Sequence, residues 1–124
     1  LSGPELMTGS TRLKAGTATK MALNILSTGV MVRLGKVFGN RMVDVSVSNS
    51  KLEDRARRIL RDLAGVEPQQ AAELLAASGG SVKQALFMVA TGCDAPAALA
   101  QLQGCDGSLR QALAQAGAQL AAPQ

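Results

Sequence analysis

The sequence predicts a mainly α fold, with one long buried helix followed by a small helical bundle. Three observations point there. Apolar residues recur at helical spacing from about Thr11 to Leu34, and a unit of helix, Gly turn and capped helix occurs twice at an offset of 27 residues. Phe, present twice, is the only aromatic in a chain that is 47% hydrophobic. Abundant Ala, Leu and Gln with so few aromatics favour packed helices over a β-sandwich.

Gly3-Pro4-Glu5-Leu6-Met7-Thr8-Gly9-Ser10-Thr11-Arg12 mixes turn formers with hydroxyl side chains and reads as a loop feeding a helix N-terminus. Leu13, Met21, Ile25, Leu26, Val30 and Leu34 then follow at helical spacing, while Leu23, Met31 and Val32 fill the other sides. A helix apolar on most faces belongs inside a larger assembly, so a missing sheet or a second subunit is expected to cover it. Gly35, Gly39 and Asn40 end the helix. Val43, Val45 and Val47 alternate with Asp44, Ser46 and Ser48, the period of a short extended segment.

Ser50-Lys51-Leu52-Glu53 has capping-box spacing, with Ser50 as the expected cap. Leu52, Ala56, Ile59, Leu60 and Leu63 share a face behind it, and Gly65 can stop the helix in a left-handed conformation. The repeat aligns Ala71-Ala72-Glu73-Leu74-Leu75 and Gly80-Ser81-Val82-Lys83-Gln84-Ala85-Leu86 with Ala98-Leu99-Ala100-Gln101-Leu102 and Gly107-Ser108-Leu109-Arg110-Gln111-Ala112-Leu113. Ser81 with Gln84, and Ser108 with Gln111, again have capping-box spacing, and Pro68 suits a first helical turn. Two helical hairpins with short connections make a compact bundle. The uncharged residues after Gly117 are expected to fray.

The net charge of +4 is unevenly spread: eleven Lys/Arg face five Asp/Glu through Asp62, and two face four from Leu63 onward. No aromatic residues interleave the basic positions as single-strand binders require, so nucleic acid is not the expected partner. Cys93 and Cys105, without a signal-peptide pattern, read as free thiols in a reducing cytoplasm. The chain has no His and no paired cysteine motif, which sets zinc aside, and nothing in it calls for another metal or a cofactor. Met21–Val32, the longest strongly apolar run, is too short to span a bilayer, so no membrane is expected. A chain of 124 residues that opens on Leu1 reads as a fragment.

The loop through Ser10, Thr11 and Arg12 to Lys14 concentrates what a phosphate needs. It offers hydroxyl donors, backbone amides at a helix start, a Gly9 that permits close approach, and two cations. Arg12 can hold a phosphate bidentately, whereas Lys14 acts as a point charge. An ordinary N-cap by Ser10 with solvated charges behind it is the competing reading.

Gly3-Pro4-Glu5, Gly9-Ser10-Thr11-Arg12, Lys14-Ala15-Gly16-Thr17-Ala18 and Lys20 together resemble the signature shared by N-acetylmuramic acid 6-phosphate etherases and glucokinase regulatory proteins. The likeness continues through Lys36-Val37-Phe38-Gly39-Asn40 and Met42-Val43-Asp44-Val45 into the repeats, and is nearer to the etherases. The resemblance implies that residues 1–48 are the C-terminal end of a sugar-isomerase-type α/β domain and that residues 49–120 form a ubiquitin-associated-like helical domain. It also implies a phosphosugar substrate contacted by Ser10, Thr11, Arg12 and Lys14, with Glu5 contacting a sugar hydroxyl or orienting the loop, and cleavage of the D-lactyl ether of N-acetylmuramic acid 6-phosphate, by elimination and then water addition, to N-acetylglucosamine 6-phosphate and D-lactate. Fixing the turn through backbone amides is the competing reading of Glu5, and the apolar helix makes a homodimer the expected partner state.

That elimination needs one group to remove a proton and another to protonate the departing ether oxygen, work suited to two carboxyl groups of tuned pKa. The resemblance places those glutamates upstream of this chain, so no catalytic residue is assigned to it. Glu53, Glu67 and Glu73 read as a capping residue and exposed helix residues. Two further functions stay open: a non-catalytic phosphosugar sensor resembling glucokinase regulatory protein, and a stand-alone helical interaction module, which would need the long apolar helix to be satisfied within the chain.

Overall fold

The computed structural model describes residues 3–120, and it is mainly helical: α1 (Lys14–Arg33), β1 (Val37–Phe38), β2 (Arg41–Met42), α2 (Ser50–Ala64), α3 (Pro68–Ala77), α4 (Val82–Thr91), α5 (Ala95–Gly104) and α6 (Leu109–Ala116). The described residues group into two compact units divided between Arg33 and Leu34.

The first unit is the loop and α1. The long helix forms as expected but is not buried: none of its residues is, and Met21, Ile25 and Leu26 are 59%, 69% and 66% exposed. Among the described residues this unit holds one helix and a loop, so nothing within it packs on the several apolar sides. Thr19 and Ser27 donate their hydroxyl protons to the carbonyls of Ala15 and Asn24, so these two hydroxyls are satisfied within α1.

In the second unit, β1 and β2 form an antiparallel hairpin in register Val37↔Met42 and Phe38↔Arg41. Gly39, at φ +58°, opens its two-residue loop with Asn40, the conformation that only glycine enters cheaply. The expected extended segment follows: Val43 is fully buried, Val45 and Val47 pack against the core, and Ser46 bridges to Ser81. Residues 34–48 therefore pack with the helices that follow them.

The cap of α2 lies one residue before the expected Ser50. Asn49 has extended backbone and its Oδ1 accepts from the Leu52 amide at 2.9 Å, while Glu53 pairs with Arg57 instead of reaching back. Gly65 ends the helix at φ +66° as expected, its amide donating to Arg61. Ala56, Ile59, Leu60 and Leu63 form the buried face.

The duplication is structural to the residue: α3 and α5 start 27 positions apart at Pro68 and Ala95, and α4 and α6 at Val82 and Leu109. The turns share their closing bond, the Gly80 amide donating to Leu75 at 2.7 Å and the Gly107 amide to Leu102 at 2.8 Å, while the amides of Ser78 and Cys105 go to non-equivalent carbonyls, Leu74 and Leu102. Ser81 and Ser108 each accept from the amide three residues on, but the box is not reciprocal, because the Gln84 side chain donates to the Ala95 carbonyl and ties α4 to α5.

Helix α4 packs against α2, α3, α5 and α6. It carries Leu86 and Phe87 into a core that also contains Leu60, Leu63 and Leu109, each such side chain stabilising the fold by about 1.5–3 kcal/mol. Of the tail expected to fray, Ala118 and Leu120 pack on this core, and residues 121–124 lie outside the described residues. Among the described residues no single helix is long and apolar enough to cross a membrane; α4 and α5 together pass on length and composition, but they are bent by 107° and much of α4 lies in the core.

Candidate functional site

The loop before α1 is organised by Glu5. Its half-buried carboxylate accepts from the Lys14 amide at 3.0 Å and from the Ala15 amide at 2.7 Å, two of the first-turn donors that have no partner within the helix. A negative charge there also complements the helix dipole. The Lys14 ammonium donates back to the Pro4 carbonyl at 2.9 Å, closing the loop from both ends. Beneath the loop lies Gly16, where a Cβ would come within 3.0 Å of the Thr11 carbonyl, so the close approach of loop to helix depends on glycine.

This arrangement corrects one expectation about the helix start. Ser10 is not the N-cap, because α1 begins four residues later, and the Ser10 amide instead closes a turn onto the Met7 carbonyl at 3.1 Å. Glu5 performs the capping from nine residues away, a role that local spacing does not reveal. Among the described residues the Ser10 and Thr11 hydroxyls and the exposed Arg12 guanidinium are held by no side-chain hydrogen bond or ion pair within the loop. Chemically, the loop thus presents two hydroxyls and a guanidinium beside a helix start whose own amides are engaged by a carboxylate.

The second unit holds a separate charge cluster that composition did not single out. Asp44 meets Lys36 at 2.7 Å and Lys83 at 3.0 Å, and Lys83 also donates to the Gly107 carbonyl at 2.9 Å. Burial by itself would raise the Asp44 pKa; hydrogen bonds from Lys36 and Lys83 and their charges outweigh it and hold the carboxyl below its ordinary 3.8. The cluster ties the extended segment to α4 and to the turn between α5 and α6.

Among the described residues no group of three or more His, Cys, Asp or Glu could hold a metal ion, and Cys93 and Cys105 are free thiols, the second of them buried.

Residues 39–84 match a family described as the C-terminal lid domain of glucokinase regulatory protein. Over 98% of its length the chain is 67% identical to an N-acetylmuramic acid 6-phosphate etherase of Parasynechococcus marenigrum, of which it covers 38%. Similar proteins of that name occur in Prochlorococcus marinus, 68% identical over 94% of the chain and 37% of the relative, and in Crocosphaera subtropica, 62% identical over 94% of the chain and 38% of the relative. The chain thus spans well under half the length of the relatives it matches.

Proposed function

From the premise that this chain is a relative of N-acetylmuramic acid 6-phosphate etherases along 98% of its length, we propose that it is the C-terminal part of such a carbon–oxygen lyase. The whole enzyme removes the D-lactyl group of N-acetylmuramic acid 6-phosphate by elimination and then adds water to the product double bond, releasing N-acetylglucosamine 6-phosphate and D-lactate. The base that takes the proton and the acid that protonates the leaving oxygen come from the remainder of the protein. Residues 1–48 end its sugar-isomerase-type domain, and residues 49–120 form a ubiquitin-associated-like helical cap. The enzyme works in the cytoplasm as a homodimer, without a metal or cofactor.

Within this part, Ser10 and Thr11 offer hydroxyl protons to the sugar phosphate and Arg12 grips it through its planar fork. Glu5 sets the loop, and since its carboxylate already takes the Lys14 and Ala15 amides, the phosphate is met by side chains and not by those amides. Lys14 adds charge while its ammonium holds Pro4.

The supporting observation is the 67% identity to a relative of that name. The test is D-lactate release from N-acetylmuramic acid 6-phosphate by the full-length protein, with Arg12→Ala raising KM and the isolated 124-residue chain inactive. Release of D-lactate by the isolated chain would refute the division of labour.

The match of residues 39–84 to the regulatory-protein lid favours one second reading, a non-catalytic phosphosugar sensor. Full-length protein that binds phosphosugars without releasing D-lactate would establish it. A stand-alone interaction module is disfavoured by the uncovered apolar side chains of α1, which a soluble, stably folded monomer in light scattering would contradict.

A further inference from the structure

The hairpin and α2 enclose a groove of about 540 Å³ lined by Asn40, Arg41, Met42, Arg55, Arg58, Ile59 and Asp62. Its size falls within the range of small-ligand pockets. On α2, positions 55, 58, 59 and 62 recur at spacings of three and four, so they share one face, and the hairpin supplies Arg41 from the opposite wall. Three guanidiniums face one carboxylate, Asp62, which Arg41 meets at 2.7 Å.

The pairing leaves capacity unused. Arg58 reaches out of the groove lining to Asp54 at 2.9 Å, and among the described residues Arg55 makes no ion pair or hydrogen bond. Each guanidinium has five N–H donors, so the groove retains donors in fork geometry above an apolar floor of Ile59 and Met42. Three cations around one groove repel each other unless an anion offsets them, and Asp62 is the one carboxylate in the lining.

We propose that this groove is a binding site for a phosphate monoester, the dianion held by Arg55 and Arg58 with Arg41 and the Asn40 amide at its edge and the organic body resting on Met42 and Ile59. The assignment is independent of the lyase reading, since it rests on residues of the second unit only.

The test is residue-resolved NMR of the chain titrated with inorganic phosphate, then with glucosamine 6-phosphate, against chloride at matched ionic strength. Saturable shifts of the Arg55 and Arg58 Nε–H signals with either phosphate are expected, tighter for the sugar phosphate if the apolar floor contributes. Arg55→Ala should weaken that saturation roughly tenfold, Arg55→Lys less, and Arg61→Ala, on α2 outside the groove, not at all. Shifts confined to Arg12, equal shifts with chloride, or binding of a poly-glutamate peptide but not of phosphate would each overturn the proposal.

Discussion

Lys83 on α4 holds Asp44 of the extended segment at 3.0 Å, while its ammonium also caps the Gly107 carbonyl at 2.9 Å. A side chain only 14% exposed thus finds two oxygen partners for its ammonium. The Asp44 carboxyl is held below its ordinary value, so its ionised form favours the fold. That contribution is complete above about pH 3.8 and disappears as pH falls from there through the lowered folded value. Asp44→Asn should cost about 1 kcal/mol at pH 7, and urea unfolding should show the gap to the native chain closing below pH 3.8.

Asp106 sits at φ +52° where its repeat partner is Gly79 at φ +61°. Left-handed backbone costs a side chain more than it costs glycine, although Asp tolerates it better than most. Asp106→Gly should therefore raise thermal stability by roughly 2–4 °C, net of glycine's greater entropy loss, and Gly79→Asp should lower it by a similar amount. Calorimetry on the two variants checks the pair.

Glu5→Ala should free the Lys14 and Ala15 amides and weaken the start of α1 by about 1 kcal/mol. Hydrogen exchange at those two amides should accelerate, with exchange in α4 unchanged. Equal protection in the variant would mean that Glu5 does not cap the helix.

Asn49→Ala should destabilise the second unit by about 1 kcal/mol and Ser50→Ala by much less, because the Asn49 side chain holds the Leu52 amide. Guanidinium unfolding of both variants separates the cap observed from the cap that spacing alone suggests.

The repeat, the left-handed stop at Gly65 and the valine alternation were legible because each depends on residues close in sequence. The α2 cap falls on Asn49 and not on Ser50, the two being adjacent good caps between which spacing alone does not choose. The Asp44 pairing lay beyond such reading, since Lys83 stands on another element far along the chain and no local period encodes that distance. A backbone-amide role for Glu5 was one of two readings open, without the amides it takes. Apolar periodicity reports what α1 needs, a covering sheet or subunit, and among the described residues this chain does not supply it. In the loop, the residue types for anion binding could be picked out, but not that a carboxylate already occupies the first-turn amides.

The donation from Lys83 to Gly107 gives the duplication a closed end. Its counterpart in the second copy is Arg110, which among the described residues makes no such bond, and α4 is already flanked by four helices. Stacked arrays grow because every copy offers its successor the face it received from its predecessor. Here the first copy is tied directly into the second by a side chain, so the two hairpins hold each other in place as well as sharing a core.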